Sequence, residues 1–71
     1  MIDLKFSYTT LDNERVTYKF DTIMDFIVSI EAAEILPGSD VEAIFFENQL
    51  TKKHFDTVYK LFYHCCDILH Y

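Results

Sequence analysis

The chain has a single glycine, Gly38, a single proline, Pro37, and no tryptophan in 71 residues. One glycine excludes a Gly-rich phosphate cradle and the dinucleotide fingerprint, both of which need several glycines at fixed spacing. The two cysteines, Cys65 and Cys66, are neighbours, so they close no loop and cannot staple the fold. Between Phe20 and Thr51 there is neither lysine nor arginine. No apolar run approaches the ~20 residues needed to span a bilayer. The opening Met1-Ile-Asp-Leu-Lys5 lacks the basic region and apolar stretch of a signal peptide. The closing Asp67-Ile-Leu-His-Tyr71 is not a prenylation signal. Free thiols without an export signal lead us to expect a cytoplasmic protein that contacts no membrane.

What is present is apolar side chain and acid. Hydrophobic residues make up 51% of the chain and aromatic residues 17%, which excludes the polar, highly charged composition of disorder. The length fits one domain over residues 1–71. A domain of this size buries only about 60% of the surface its unfolded chain exposes. So much apolar surface on so small a body leads to the expectation of a homodimer or an obligate protein partner.

Hydrophobic periodicity divides the chain into elements. Ile2, Leu4, Phe6 and Tyr8 alternate with Asp3, Lys5, Ser7 and Thr9, and Val16, Tyr18 and Phe20 alternate with Arg15, Thr17 and Lys19. Period two on both sides of Asp12-Asn13 predicts a hairpin with one polar face. Ile23, Phe26, Ile27 and Ile30 follow at helical spacing behind a cap at Asp21 or Thr22, in a helix that runs on through Ala32 and Ala33 until Pro37-Gly38 stops it. Val41 to Phe46 predicts a third strand. Its bulk on both sides (Val41, Ala43 and Phe45 against Ile44 and Phe46) implies cover on both faces.

A second helix is predicted from a cap at Thr51 almost to the end. Phe55, Val58, Tyr59, Phe62, Cys65, Cys66 and Leu69 fall on a stripe about 120° wide, opposite Lys53, Asp56, Lys60, His64 and Asp67. Leu61 and Ile68 lie on its flank, where an outside partner could cover them. The order β-β-α-β-α predicts an α+β, two-layer fold in which two helices cover one face of a three-stranded, mostly antiparallel sheet, with strand order 2-1-3 favoured over a parallel alternative. No internal repeat stands out.

No catalytic or metal constellation assembles from these residues. Cys66 and His70 are four apart, but a zinc site needs about four ligands, and both cysteines fit the helix's core stripe as small hydrophobes. A nucleophilic Cys66 beside His64 or His70 lacks an orienting third group. Glu31 and Glu34 read as solvated helix surface. We therefore expect no enzyme activity, no cofactor, no metal and no small-molecule substrate. Direct nucleic-acid binding is also not expected: only Lys5, Arg15 and Lys19 could share a face, and that face lacks aromatics for base stacking.

Charge is the uneven feature. Asp21, Asp25, Glu31, Glu34, Asp40, Glu42 and Glu47 give the basic-free segment seven negative charges, and the rest of the chain nearly balances, for a net charge of −6. Such a segment serves solubility, or forms an acidic face that docks a basic protein, in the extreme by imitating a nucleic-acid backbone. Ile44, Phe46, Leu61 and Ile68 are the candidate apolar interface.

The segments Ile2-Asp-Leu-Lys-Phe-Ser-Tyr8 and Ile44-Phe-Phe-Glu-Asn-Gln-Leu-Thr51 resemble short, acidic protein families of streptococcus-like Gram-positive bacteria. The resemblance spans nearly the whole chain and implies a bacterial cytosolic origin. Those families have no assigned activity, so it transfers no residue roles. On these grounds the leading expectation is a non-enzymatic interaction protein, a homodimer or assembly subunit. The alternative is an acidic inhibitor of a basic protein.

Overall fold

The computed structural model describes residues 3–46 and 50–70. The alternating N-terminal residues form β1 (Asp3–Thr10) and β2 (Arg15–Phe20), followed by α1 (Ile23–Glu31), β3 (Gly38–Phe46), β4 (Leu50–Thr57) and α2 (Val58–Leu69). All strand pairs are antiparallel, in the order β2-β1-β3-β4. The α+β class, the antiparallel sheet, the 2-1-3 neighbourhood and the two helices follow the sequence expectation. The strand count does not, because residues expected to begin the second helix form a fourth strand.

Each element has a local cause. Thr22 caps α1, its Oγ1 accepting from the Asp25 N–H at 3.1 Å. The helix ends at Glu31, two residues short of the expected Ala33, and Ala33 turns into the left-handed region at φ 56°. Thr57, not Thr51, caps α2 by accepting from the Lys60 N–H at 3.2 Å. His70 closes α2 in the left-handed conformation.

The core lies between the layers. Leu4, Phe6 and Tyr8 of β1, Val41, Ala43 and Phe45 of β3, Ile23, Phe26 and Ile27 of α1, and Val58, Leu61 and Cys65 of α2 are buried together. Leu61 is fully buried, so it is a core residue and not the exposed flank expected of it. The expected stripe placed it off-centre because it was fitted to a helix that included Phe55, which in fact arrives from β4. Tyr59, expected inside, is 55% exposed. His64, expected on the polar side, packs its ring against Phe45 at 5.6 Å and Phe55 at 5.3 Å. Burial and the nearby Lys53 charge hold its pKa below the ordinary histidine value.

The order ββα-ββα is an internal repeat. Phe20-Asp21-Thr22 recurs 35 residues on as Phe55-Asp56-Thr57, and both threonines perform the same capping. In the central ladder Ser7 pairs with Glu42, two positions related by that same offset. A pseudo-two-fold axis therefore passes between them, exchanging β1 with β3, β2 with β4 and α1 with α2. The second hairpin is drawn in by two residues: Phe6 opposes Tyr18, but its equivalent Val41 opposes Phe55. A two-residue shift keeps each side chain on its own face.

Candidate functional site

One whole face of the sheet carries no helix. Successive residues alternate faces, so Lys5, Ser7, Thr17, Lys19, Glu42, Ile44, Phe46, Leu50, Lys52 and His54 share it. Ile44 is half-buried and Phe46 is 37% exposed, so β3 is not covered on both faces as expected. Its outward bulk is set among polar neighbours.

The pairing registers order this face in rows. Lys19 opposes Lys5, Lys5 opposes Ile44, and Ile44 opposes Lys52. Three lysines thus line up across four strands spaced ~4.8 Å apart, interrupted only by Ile44. None makes an ion pair among the described residues; the three ion pairs seen there are Arg15–Asp40, His54–Asp40 and Lys60–Asp56. Like charges directly opposite each other destabilise a ladder. With Arg15, the face carries four of the six Lys and Arg residues of an acidic chain, beside the acids Asp3, Asp40 and Glu42.

The adjoining end of this face is built around a bulge. The β1–β3 register slips between Ser7 and Thr9, and Asp40 sits at φ 56°. Aspartate tolerates that conformation better than most residues, and it turns the carboxylate across the sheet. Arg15 Nη1 donates to the Asp40 carbonyl at 2.7 Å and reaches its carboxylate at 3.4 Å, while Nη2 donates to Ser7 Oγ at 3.1 Å. His54 Nε2 lies 2.8 Å from Asp40 Oδ1. The His54 contact, with the Arg15 charge adding to it, lowers the Asp40 pKa. Among the described residues no hydrogen bond joins Ser7 to His54, so the cluster does not place a base on the hydroxyl.

The opposite surface is the outer side of the helix layer. Met24 and Val28 on α1, and Tyr59 and Tyr63 on α2, are exposed there, with Leu36 66% exposed beyond α1. Ile30, Ala33, Leu36, Pro37, Val58 and Tyr59 line a shallow recess where the C-terminal end of α1 meets the start of α2. Asp21, Asp25, Glu31 and Glu34 are exposed on this layer.

The acidic segment is therefore divided. Asp21, Asp25, Glu31 and Glu34 belong to the helix layer, Asp40 and Glu42 belong to the open sheet face, and Glu47 lies outside the described residues. Of the expected apolar interface, Ile44 and Phe46 stand together on the open sheet. Ile68 is 36% exposed at the other layer, and Leu61 is internal. Sequence reasoning missed Leu50 and Lys52 on the open face, and Met24, Val28, Tyr59, Tyr63 and Leu36 on the helix layer. For the first two the sequence offered no alternation to read, and Phe55 at helical spacing with Val58, Tyr59 and Phe62 drew the residues into the helix.

Cys65 is buried in the core, and burial, with Cys66 adding to it, pushes its thiol up to about 12. Cys66 is half-buried and its pKa is raised by burial and by the charges of Glu31 and Asp67. Among the described residues no group of three or more His, Cys, Asp or Glu side chains is placed to share a metal ion. No described helix is long and apolar enough to cross a membrane. No family model, curated protein or solved structure matches the chain.

Proposed function

We propose that this chain is a non-enzymatic protein–protein interaction module of the bacterial cytoplasm, acting as a homodimer or as a subunit of a larger assembly. The observation that carries this reading is that both layers present exposed apolar side chains outward. They are Met24, Val28, Tyr59 and Tyr63 on the helices, and Phe46 and Leu50 on the uncovered sheet. Exposed aromatic and methionine side chains flanked by charge are what a protein interface is made of. The buried thiol and the exposed Asp40–His54 pair give a reaction no assembled nucleophile. Replacing Tyr59 and Tyr63 together with serine should lower the self-association or partner affinity of the chain while its circular dichroism stays unchanged. Unaltered binding after that change would remove the helix layer from the reading.

A second reading is favoured by Asp21, Asp25, Glu31 and Glu34 on the helix layer: an acidic inhibitor that occupies a basic protein's binding groove. Under that reading, changing Asp25, Glu31 and Glu34 to lysine abolishes capture of the basic partner. Capture that survives both that change and high salt rejects it.

A further inference from the structure

The two faces are complementary to each other. The open sheet carries the row Lys19, Lys5 and Lys52, without an ion pair among the described residues, with Ile44, Phe46 and Leu50 beside it. The helix layer on the other side carries Asp21, Asp25 and Glu34 beside Met24 and Val28. We infer that the open sheet face of one copy docks on the acidic helix layer of a second copy, stacking the chain head to tail. This rests on the interaction reading above and names its partner.

Three observations meet in it. The Lys5–Lys19 opposition is unfavourable within the monomer, and although Asp3 and Glu42 share the face, neither lysine forms an ion pair among the described residues; a carboxylate set laid across the row supplies one. Four of the six basic residues stand on the sheet face, while residues 20–51 have no base and put four of their seven acids, Asp21, Asp25, Glu31 and Glu34, in or beside α1. Each face also offers apolar side chains, so charge sets the register and apolar burial adds the area. A nucleic acid fits the sheet face less well. Its only exposed aromatic among the described residues is Phe46, and Glu42 and Asp40 interrupt the basic surface.

Such a contact joins different patches on the two copies. Because the patches lie on opposite sides of a two-layer molecule, it does not close on itself, and copies add in a line.

The test uses two variants of the 71-residue chain, each neutralised on one face: Lys5→Gln with Lys52→Gln, and Asp25→Asn with Glu34→Gln. Sedimentation velocity at ~50 mM salt should show the unaltered chain as a concentration-dependent series of oligomers, shrinking at ~0.5 M salt where exposed charges are screened. Each variant alone should be monomeric, with unchanged circular dichroism. Mixed in equal amounts, they should form a one-to-one dimer and nothing larger, since each supplies the face the other lacks. A mixture that sediments as its separate components overturns the inference, as does a variant that still associates like the unaltered chain. An unaltered chain that stays monomeric but holds a different protein through either face also overturns it, and leaves the interaction reading standing.

Discussion

Tyr8 shows how much one side chain fixes in a core this small. Its ring lies over Gly38, where an added Cβ would run into the ring, and its hydroxyl donates to the Leu36 carbonyl at 2.9 Å. The one glycine is thus needed for close approach and not for backbone freedom, since its φ is not positive. Gly38→Ala should cost about 1–3 kcal/mol through overpacking, read from denaturant midpoints. Tyr8→Phe, which removes only the hydroxyl bond, should cost about 1 kcal/mol. Equal losses from the two would show that the ring contact matters no more than the bond.

Titration follows from the same burial. The Tyr8 hydroxyl is pushed up to about 12 by burial and by Tyr18, and the Cys65 thiol to about 12 by burial and Cys66. Unfolded, these groups release their protons near 10.0 and 9.0, so the folded chain binds more protons through that interval. Stability should therefore hold up to pH 9.0 and fall steadily towards about 12. His64 acts on the acid side. Its lowered pKa favours the neutral ring in the fold, so stability should also decline as pH drops below the ordinary value of 6.5. Flat urea midpoints across both intervals would contradict these assignments.

At the scale of elements, legibility followed amphipathic contrast. β1 is buried at Leu4, Phe6 and Tyr8 and partly or fully open between them, so period two shows directly. The stripe Ile23, Phe26, Ile27 of α1 is equally plain, and Thr22 was a recognisable cap. β4 failed because it is an edge strand whose residues are exposed or half-buried throughout. With Phe55 as its only sizeable inward apolar residue, it had no alternation to read. Phe55 then fell by chance at helical spacing with Val58, Tyr59 and Phe62. The repeated Phe-Asp-Thr ahead of each helix was the available signal for the true boundary. The register row of lysines was not legible, since it depends on which residues four separate strands bring opposite one another.

Capping separates the two assignments of the second helix. Thr57→Ala should destabilise by about 1 kcal/mol, similar to Thr22→Ala, because each removes an oxygen from an otherwise unpartnered N–H. Thr51→Ala, on an exposed edge strand, should change stability little. A Thr51 effect as large as that of Thr57 would restore the longer helix. Leu61→Ala should cost about 2–5 kcal/mol as a core truncation, whereas an interface flank would lose far less in the monomer.

At the scale of the molecule, two ββα halves share one core and leave two outward faces, a sheet face of four bases among three acids and a helix layer with acids in and beside α1. The half-repeat explains why so short a chain completes a four-stranded sheet: each hairpin supplies one central strand, and the two central strands pair across the pseudo-axis at Ser7 and Glu42. What the fold does not cover are Met24, Val28, Tyr59 and Tyr63 on one side and Phe46 and Leu50 on the other.

Under the proposed reading these faces serve to bind protein. Light scattering of the purified 71-residue chain at micromolar concentration, at low salt, tests this most directly. The expected result is a mass above that of one chain, or a co-purifying protein held in fixed ratio. A clean monomer of 8.5 kDa with nothing retained contradicts it.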